Sequence, residues 1–327
     1  MSSPIVLHPA FVQAKDALLR ALVTDVPGQL IFVIGLSGAG KSEIRYATMQ
    51  AYAGNPKGWG RGHLPAIAVR ATPSDRSYFS SKEFAMRLYV ELREPNLGWL
   101  THRSAVDDPD DVHLRSEERL TDSFWKNFRY TRTEHDLRSH FERMAVARGL
   151  RAIFVEQAAS ITRTNARKDP RDHMESYMCL AEEIGVTLVL FGVPAASVLW
   201  KGKAEIRRRS RFVFVERYRL SDANDRACFE RLAVSLAQGY RFATPDLLRR
   251  NLDLAYAASA GVCGELKGYL TRADDLRAGQ GVDMILKQHL EGAIYAEEDL
   301  VTLHEAASAF DVLRTPASAS AIRRVLA

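Results

Sequence analysis

Residues 29–42 read QLIFVIGLSGAGKS. The first six, Gln29 to Ile34, form a nearly continuous apolar run that stops at a glycine, the pattern of a strand buried on both faces of a parallel sheet. The next eight, Gly35, Leu36, Ser37, Gly38, Ala39, Gly40, Lys41 and Ser42, satisfy GxxxxGK[ST] at every fixed position. From Lys41 the pattern turns helical, with Ile44, Ala47, Thr48 and Ala51 on one face. A glycine-rich loop between a strand and a helix is the setting in which this motif holds phosphate. The glycines let backbone N–H groups turn inward around phosphate oxygens, and the helix adds its positive end. Lys41 is then expected to reach the β- and γ-phosphates, and the Ser42 hydroxyl to ligate magnesium. The expected cofactors are ATP and Mg2+.

Outward from this loop, strands and helices alternate. LPAIAVRA (64–71), RAIFVEQ (151–157), VTLVLFG (186–192) and RFVFVERY (211–218) read as further strands. Between them lie helical patterns: one capped by Ser80 with Glu83 three residues on, one carrying Leu137, Phe141, Met144 and Ala145 up to Gly149, and one carrying Met174, Tyr177, Met178, Ala181 and Ile184 up to Gly185. The charged stretch at 94–133 has little periodicity and reads as an insertion. The alternation predicts an α/β P-loop core, a five-stranded parallel sheet with helices on both faces, over residues 1–219. Beyond it only helices are expected: one capped by Ser221, one starting at Thr244–Pro245, one marked by Leu266, Tyr269, Leu270 and Ala273. Residues 220–314 are thus expected to form a small α-helical lid domain, and 315–327 a flexible C-terminal tail.

Composition bounds the class. In 327 residues, 46% are apolar and 26% charged, enough for a sizeable core. Lys plus Arg exceed Asp plus Glu by 45 to 40, a mild excess that permits a nucleic-acid partner without requiring one. Cys179, Cys228 and Cys263 are far apart and odd in number, which predicts reduced thiols in a cytoplasmic protein. No signal peptide is read at the start, and no run approaches a membrane span. His113, His135, His140 and His173 do not sit at ligand spacing with any cysteine, and DDPDD at 107–111 lacks the glycine and terminal glutamate of a calcium loop.

AIFVEQAAS (152–160) is the expected partner strand of the phosphate loop. Such strands usually end Asp-Glu, the first acid supporting magnesium and the second activating water. Here the pair is Glu156 and Gln157. Glu156 can hold the metal's water shell with one more methylene of reach. Gln157 can orient a water but cannot take its proton, and a missing base costs about 10²–10⁴ in rate. Hydrolysis is therefore expected to be slow or absent.

The order and texture of these motifs resemble the TniB/TnsC group of AAA+ ATPases that regulate transposition. FVIGLSGAGKS resembles its Walker A, and AIFVEQAAS its Walker B aligned through Ala158. GVTLVLFGVPAA, the SRF turn within RRRSRFVFVERYRL, and SAGVCGELKGYLTRA follow in the family's order, over about residues 5 to 275. Glu-Gln at Walker B and Val193 after the fourth strand depart from its pattern. The resemblance implies a homo-oligomer, a ring or helical filament, on double-stranded DNA with ATP bound. It would mark the target site and link a TniQ-like target selector to the transposase. In that case Arg209 and Arg211, with Arg208 as an alternative, match the arginine that reaches the next subunit's γ-phosphate, although RRRSR also reads as a solvated basic loop. The resemblance implies His8 and Pro9 near the adenine, although they read equally well as core or turn residues. Arg163, Arg167, Lys168 and Arg171 after the Walker B strand, and Lys82 and Arg87 after the second strand, are the candidate DNA contacts. The tail, with Arg323, Arg324, Val325 and Leu326, is a candidate docking peptide for the transposase. Two other classes remain open on the residues alone: a DNA-independent regulatory or signalling P-loop ATPase, and a monomeric P-loop kinase.

Overall fold

The structure, a computed structural model, describes residues 8–24, 26–73, 78–100, 131–164 and 168–326. Arg167, and from the charged stretch DDPDD, His113 and Trp125, lie outside the described residues. Five strands, β1 (Leu30–Gly35), β2 (Ala66–Arg70), β3 (Ala152–Glu156), β4 (Thr187–Gly192) and β5 (Ser210–Val215), form one sheet in the order β2-β3-β4-β1-β5. The ladders β1–β4, β2–β3 and β3–β4 are parallel. The sequence reason is burial. Every residue of β1 and β4 is buried, as their unbroken apolar runs require, whereas the edge strand β5 alternates. On β5, Phe212 stacks on Phe32 of β1 at 5.8 Å between centroids, with Trp200 packed against both.

Helices flank the sheet: α1 (Pro9–Val23), α2 (Lys41–Ala53), α3 (Ser81–Arg93), α4 (Glu134–Ala147), α5 (Pro170–Ile184) and the short α6 (Ala204–Arg208). Their ends follow local chemistry. The Ser80 hydroxyl accepts from Glu83 N, Thr133 and Asp136 close a reciprocal capping box, Asp169 caps α5 ahead of Pro170, and Gly185 ends α5 in the left-handed conformation.

Among the described residues the chain divides into two compact units. One comprises Gln13–Ile34 and Lys41–Val213. The other comprises the chain up to Val12, Gly35–Gly40, and the chain from Phe214 onward. This division does not fall at 219/220. It cuts within β5, and it groups the phosphate loop with the helical region.

The helical unit contains α7 (Ala223–Ala237), α8 (Leu247–Arg250), α9 (Leu252–Ser259), α10 (Cys263–Gly279), α11 (Lys287–Gly292), α12 (Glu297–Arg314) and α13 (Ala319–Leu326). Its core gathers Phe229, Leu232, Leu252, Leu266, Tyr269 and Leu290, and the buried Tyr269 hydroxyl donates to Leu290 O at 2.9 Å. Three local expectations shift. Asp222, not Ser221, caps α7, because its carboxylate accepts from Asp225 N. The helix expected from Thr244 begins at Leu247, because Phe242 and Ala243 are first held extended beside Ile285. Residues 319–326, expected as a flexible tail, are helical: the Ser318 hydroxyl accepts from Ala321 N at the start, and no residue of the helix is buried.

One ionic clamp fastens α12 to the chain leaving β5. Asp311 accepts from Arg217 Nη2 at 2.6 Å and from Arg219 Nη2 at 2.8 Å, while Glu216 pairs with Arg314. Arg217 also donates to the Tyr256 hydroxyl and Ala260 O. Burial works against the Asp311 carboxylate, yet the bonds and charges of Arg219 and Arg217 hold its pKa below the ordinary value of 3.8. Its contribution to stability is therefore complete above that value and is lost as pH falls through the lowered one. Asp311→Ala is expected to cost about 1–2 kcal/mol at neutral pH, the clamp being partly exposed. Asp311→Asn should flatten the acid limb of stability, measured by denaturant unfolding between neutral and acid pH.

Candidate functional site

The phosphate loop is shaped by close approaches and two left-handed glycines. At Gly35 a Cβ would lie 2.9 Å from Val215 Cβ, so the last residue of β1 must be small. Ala39 N donates to Leu36 O, closing a turn, and Gly38 and Gly40 take φ of 72° and 82°. Around Gly40 a Cβ would meet nothing within 4 Å, so open space remains on that side of the loop. Lys41 then opens the thirteen-residue α2, and Ser42 is exposed. Burial lowers the Lys41 pKa to about 8. A desolvated ammonium at a helix start, after a loop with two left-handed turns, suits a polyphosphate.

The loop is met within its own unit by the start of α10. Gly264 N donates to Gly38 O at 2.9 Å. A Cβ on Gly264 would stand 2.5 Å from that oxygen and 2.8 Å from Gly38 Cα. Three residues earlier, a Cβ on Gly261 would stand 2.1 Å from Tyr218 O. The two glycines of GVCG thus have separate steric causes, one against the chain leaving β5 and one against the phosphate loop.

Glu156 closes β3. Its Oε1 accepts from Arg45 Nε at 3.0 Å, and its Oε2 from Arg70 Nε and Nη2, both at 3.3 Å. With both oxygens held by guanidinium groups, this carboxylate does not suit a divalent cation. Gln157 is exposed and adopts the left-handed conformation, φ 57° and ψ 40°, with its carbonyl accepting from Ser160 N at 2.8 Å. Among the described residues no group of three or more His, Cys, Asp and Glu could hold a metal, and no helix is long and apolar enough to cross a membrane.

No protein-family model matches the chain, and no curated protein sequence does. Solved structures do. The chain is similar to the Aeropyrum pernix ORC2 protein in its ADP form, at 12% identity over 90% of this chain and 70% of that one, with a TM-score of 0.53. It is similar to a Walker-type ATPase of Pyrococcus abyssi, at 12% identity over 95% and 86%, TM-score 0.50. It is also similar to Drosophila ORC bound to DNA, at 13% identity over 89% and 62%, TM-score 0.51. At 12–13% identity the likeness is one of fold, a five-stranded parallel α/β sheet with flanking helices.

On this fold the other expected residues scatter. Arg209 follows α6 and pairs with Glu182 at 2.6 Å, while Arg208 and Arg211 are exposed with no ion pair among the described residues. Arg171 is held on both oxygens of Asp169, at 2.6 to 2.9 Å. Arg163 and Lys168 are exposed, and Phe79 N donates to Arg163 O, which sets the start of α3, with Lys82, beside that turn. Arg87 faces a cavity of about 730 Å³ that Arg45, Arg70, Glu156 and Trp99 also line. His8 is buried, burial pushes its pKa down to about 4, and its ring Nδ1 is hydrogen-bonded with the Tyr218 hydroxyl at 3.0 Å. Pro9 is exposed at the first turn of α1.

Arg45 and the Gly264–Gly38 bond are absent from the sequence reading. Arg45 lies one turn after Ser42 but finds its partner 111 residues away, so no local signal could mark it. The bond had a signal, the glycine spacing of GVCG, but not its partner.

Two outcomes are expected. Phosphate beside Lys41 should restore its proton, so nucleotide binding takes up a proton above the depressed pKa. Affinity for ATP, measured by calorimetry, should fall about tenfold from pH 7 to pH 9, and Lys41→Met should remove that slope. Gly264→Ala should push α10 off the loop, costing about 1–3 kcal/mol as overpacking and weakening nucleotide binding, with thermal unfolding and calorimetry on the same sample as the check.

Proposed function

We propose that this chain binds a nucleoside triphosphate at Gly35–Ser42 and acts as a nucleotide-gated scaffold on double-stranded DNA. In its most specific form it is a transposition regulator of the TniB/TnsC kind, linking a TniQ-like selector to a transposase. The observation that carries the gating is the Gly264–Gly38 backbone bond. A phosphate bound by the loop acts on the same peptide that the helical unit grips, so nucleotide occupancy and the position of α10 are coupled.

The DNA part rests on the resemblance, on a likeness in fold to a structure described as ORC bound to DNA, and on charge. Lys82, Arg163 and Lys168 would give sequence-neutral, salt-sensitive phosphate contacts. Arg171 is engaged with Asp169 and contributes less. Arg211, with Arg208, would reach a neighbour's γ-phosphate, while Arg209 is tied to Glu182 and keeps a structural role. A fixed guanidinium of this kind makes assembly depend on the triphosphate. Gln157, in the position of the general base, orients water without accepting its proton, so the triphosphate state persists.

The test sizes the protein by light scattering with duplex DNA and ATP or ADP, at low and high salt, alongside ATP turnover. Large particles should appear with ATP and DNA, dissolve with salt, and be lost in Arg211→Ala. Turnover should be slow, and Gln157→Glu should raise it by at least about tenfold. Brisk turnover, indifferent to DNA and without assembly, would instead favour a monomeric P-loop enzyme. Assembly indifferent to DNA would favour a regulatory ATPase of the signalling type.

A further inference from the structure

The cavity of about 730 Å³ lies at the carboxyl ends of β2 and β3, where Arg70 and Glu156 are the last residues of their strands. Open α/β sheets receive ligands at this end, and small-molecule sites commonly measure about 300–1,000 Å³. The described residues that line it all belong to the unit of Gln13–Ile34 and Lys41–Val213, and none of Gly35–Ser42 is among them.

Two groups of charge line this cavity. At the strand ends the Glu156 carboxylate is held by Arg45 at 3.0 Å and Arg70 at 3.3 Å, so that group sums to +1. Arg45 is the fixed member, with only 7% of its side chain exposed. Its Nε goes to Glu156 Oε1, its Nη1 to Met49 Sδ at 3.4 Å, and its face lies 4.0 Å from the centre of the Tyr46 ring. Its Nη2 has no hydrogen bond among the described residues, so a buried cation that cannot shed its proton keeps a donor unused on the cavity wall. The second group is on α3. Glu83, Arg87 and Glu91 recur every fourth residue, share one face of the helix, and sum to −1. The Glu83 carboxylate has no partner among the described residues, whereas Glu91 accepts from Asn96 N at 2.8 Å. Met86, Val90 and the Trp99 ring add apolar wall.

The lining is therefore strongly charged and formally neutral. A simple anion drawn to Arg45 and Arg70 would meet the excess of acid on α3, and a simple cation drawn to Glu83 would meet the excess of arginine at the strand ends. A molecule carrying both charges on an apolar body satisfies each group. We propose that this cavity binds a small apolar zwitterion, a free amino acid or a short peptide, with its carboxylate on Arg45 and Arg70 and its ammonium on Glu83. The proposal does not depend on the nucleotide reading.

The experiment is calorimetry on the full chain with L-leucine, L-phenylalanine, dileucine and trileucine as probes, which separates free amino acid from peptide. Each is compared with its N-acetyl form, which lacks the cation, and its amide, which lacks the anion. At least one zwitterion should bind with a dissociation constant of about 1 mM or tighter, and both of its single-charge forms at least about tenfold more weakly. Glu83→Gln should narrow the gap between that zwitterion and its N-acetyl form, and Arg70→Gln the gap between it and its amide, a charge-matched pattern that loss of packing would not give. The wild-type comparison decides the matter even where a variant does not fold. Binding of none of the four zwitterions overturns the proposal, and so does an N-acetyl form or an amide that binds as tightly as its parent.

Discussion

The backbone bond between Gly264 and Gly38 is the constraint on which the helical unit depends. It exists only because neither residue carries a Cβ, and because the turn before α10 is fixed independently. Tyr218 N donates to Gly261 O at 3.1 Å while Gly261 passes hard against Tyr218 O. Arg217, one residue earlier, donates to Ala260 O and is itself clamped by Asp311. The chain leaving β5, the turn before α10 and the long α12 are thus one connected hydrogen-bonded and ionic assembly, and its apex is the peptide of Gly38. A loop whose glycines would otherwise be free to move is pinned at the carbonyl of Gly38.

The sheet supplies the second half of the logic. Parallel pairing in the register Ala66↔Ala152 carries through to Arg70↔Glu156, so an acid ending β3 must meet a base ending β2. A one-residue slip would send Glu156 to the other face. The apolar residues of β3, Ala152 to Val155, are all buried, so their packing holds the register and thereby holds the ion pair. Arg45 is then drawn in from α2 because a buried carboxylate with one exposed partner is incompletely satisfied.

What was legible in the sequence is what local physics decides. The run at 29–34, the glycine pattern at 35–42, the caps at Ser80 and Gly185 and the buried stripe Leu266, Tyr269, Leu270 each act within a few residues, and each fell where expected to within a residue or two. Asp222 rather than Ser221 shows the limit of that: two adjacent capping residues compete, and only the backbone entering the helix decides between them. The long-range pairings were not legible. Glu156 reads as a metal acid until Arg45 and Arg70 are placed beside it, and Arg209 reads as a free cation until Glu182 is placed across from it. A charged residue states what it can pair with, and only the fold states with whom.

Backbone strain marks where such long-range demands overrule local preference. Among the described residues, two non-glycine positions have positive φ, Gln157 and Ala260. A left-handed residue with a side chain costs about 1–2 kcal/mol and persists where its surroundings over-determine it. Both positions meet that condition. Ala260 is held by the Arg217 bond to its carbonyl and by the packing of Gly261. Gln157 is held because Glu156 before it is fixed by two arginines and by Ala71 N donating to its carbonyl, while Ser160 N takes the carbonyl of Gln157 itself. The chain must reverse direction at once after the ion bridge, and the left-handed turn is the shortest way to do so. The amide at 157 is thereby turned out into solvent as a consequence of how tightly the acid before it is held. The left-handed turn at residue 157 and the pairing of residue 156 are two results of one constraint.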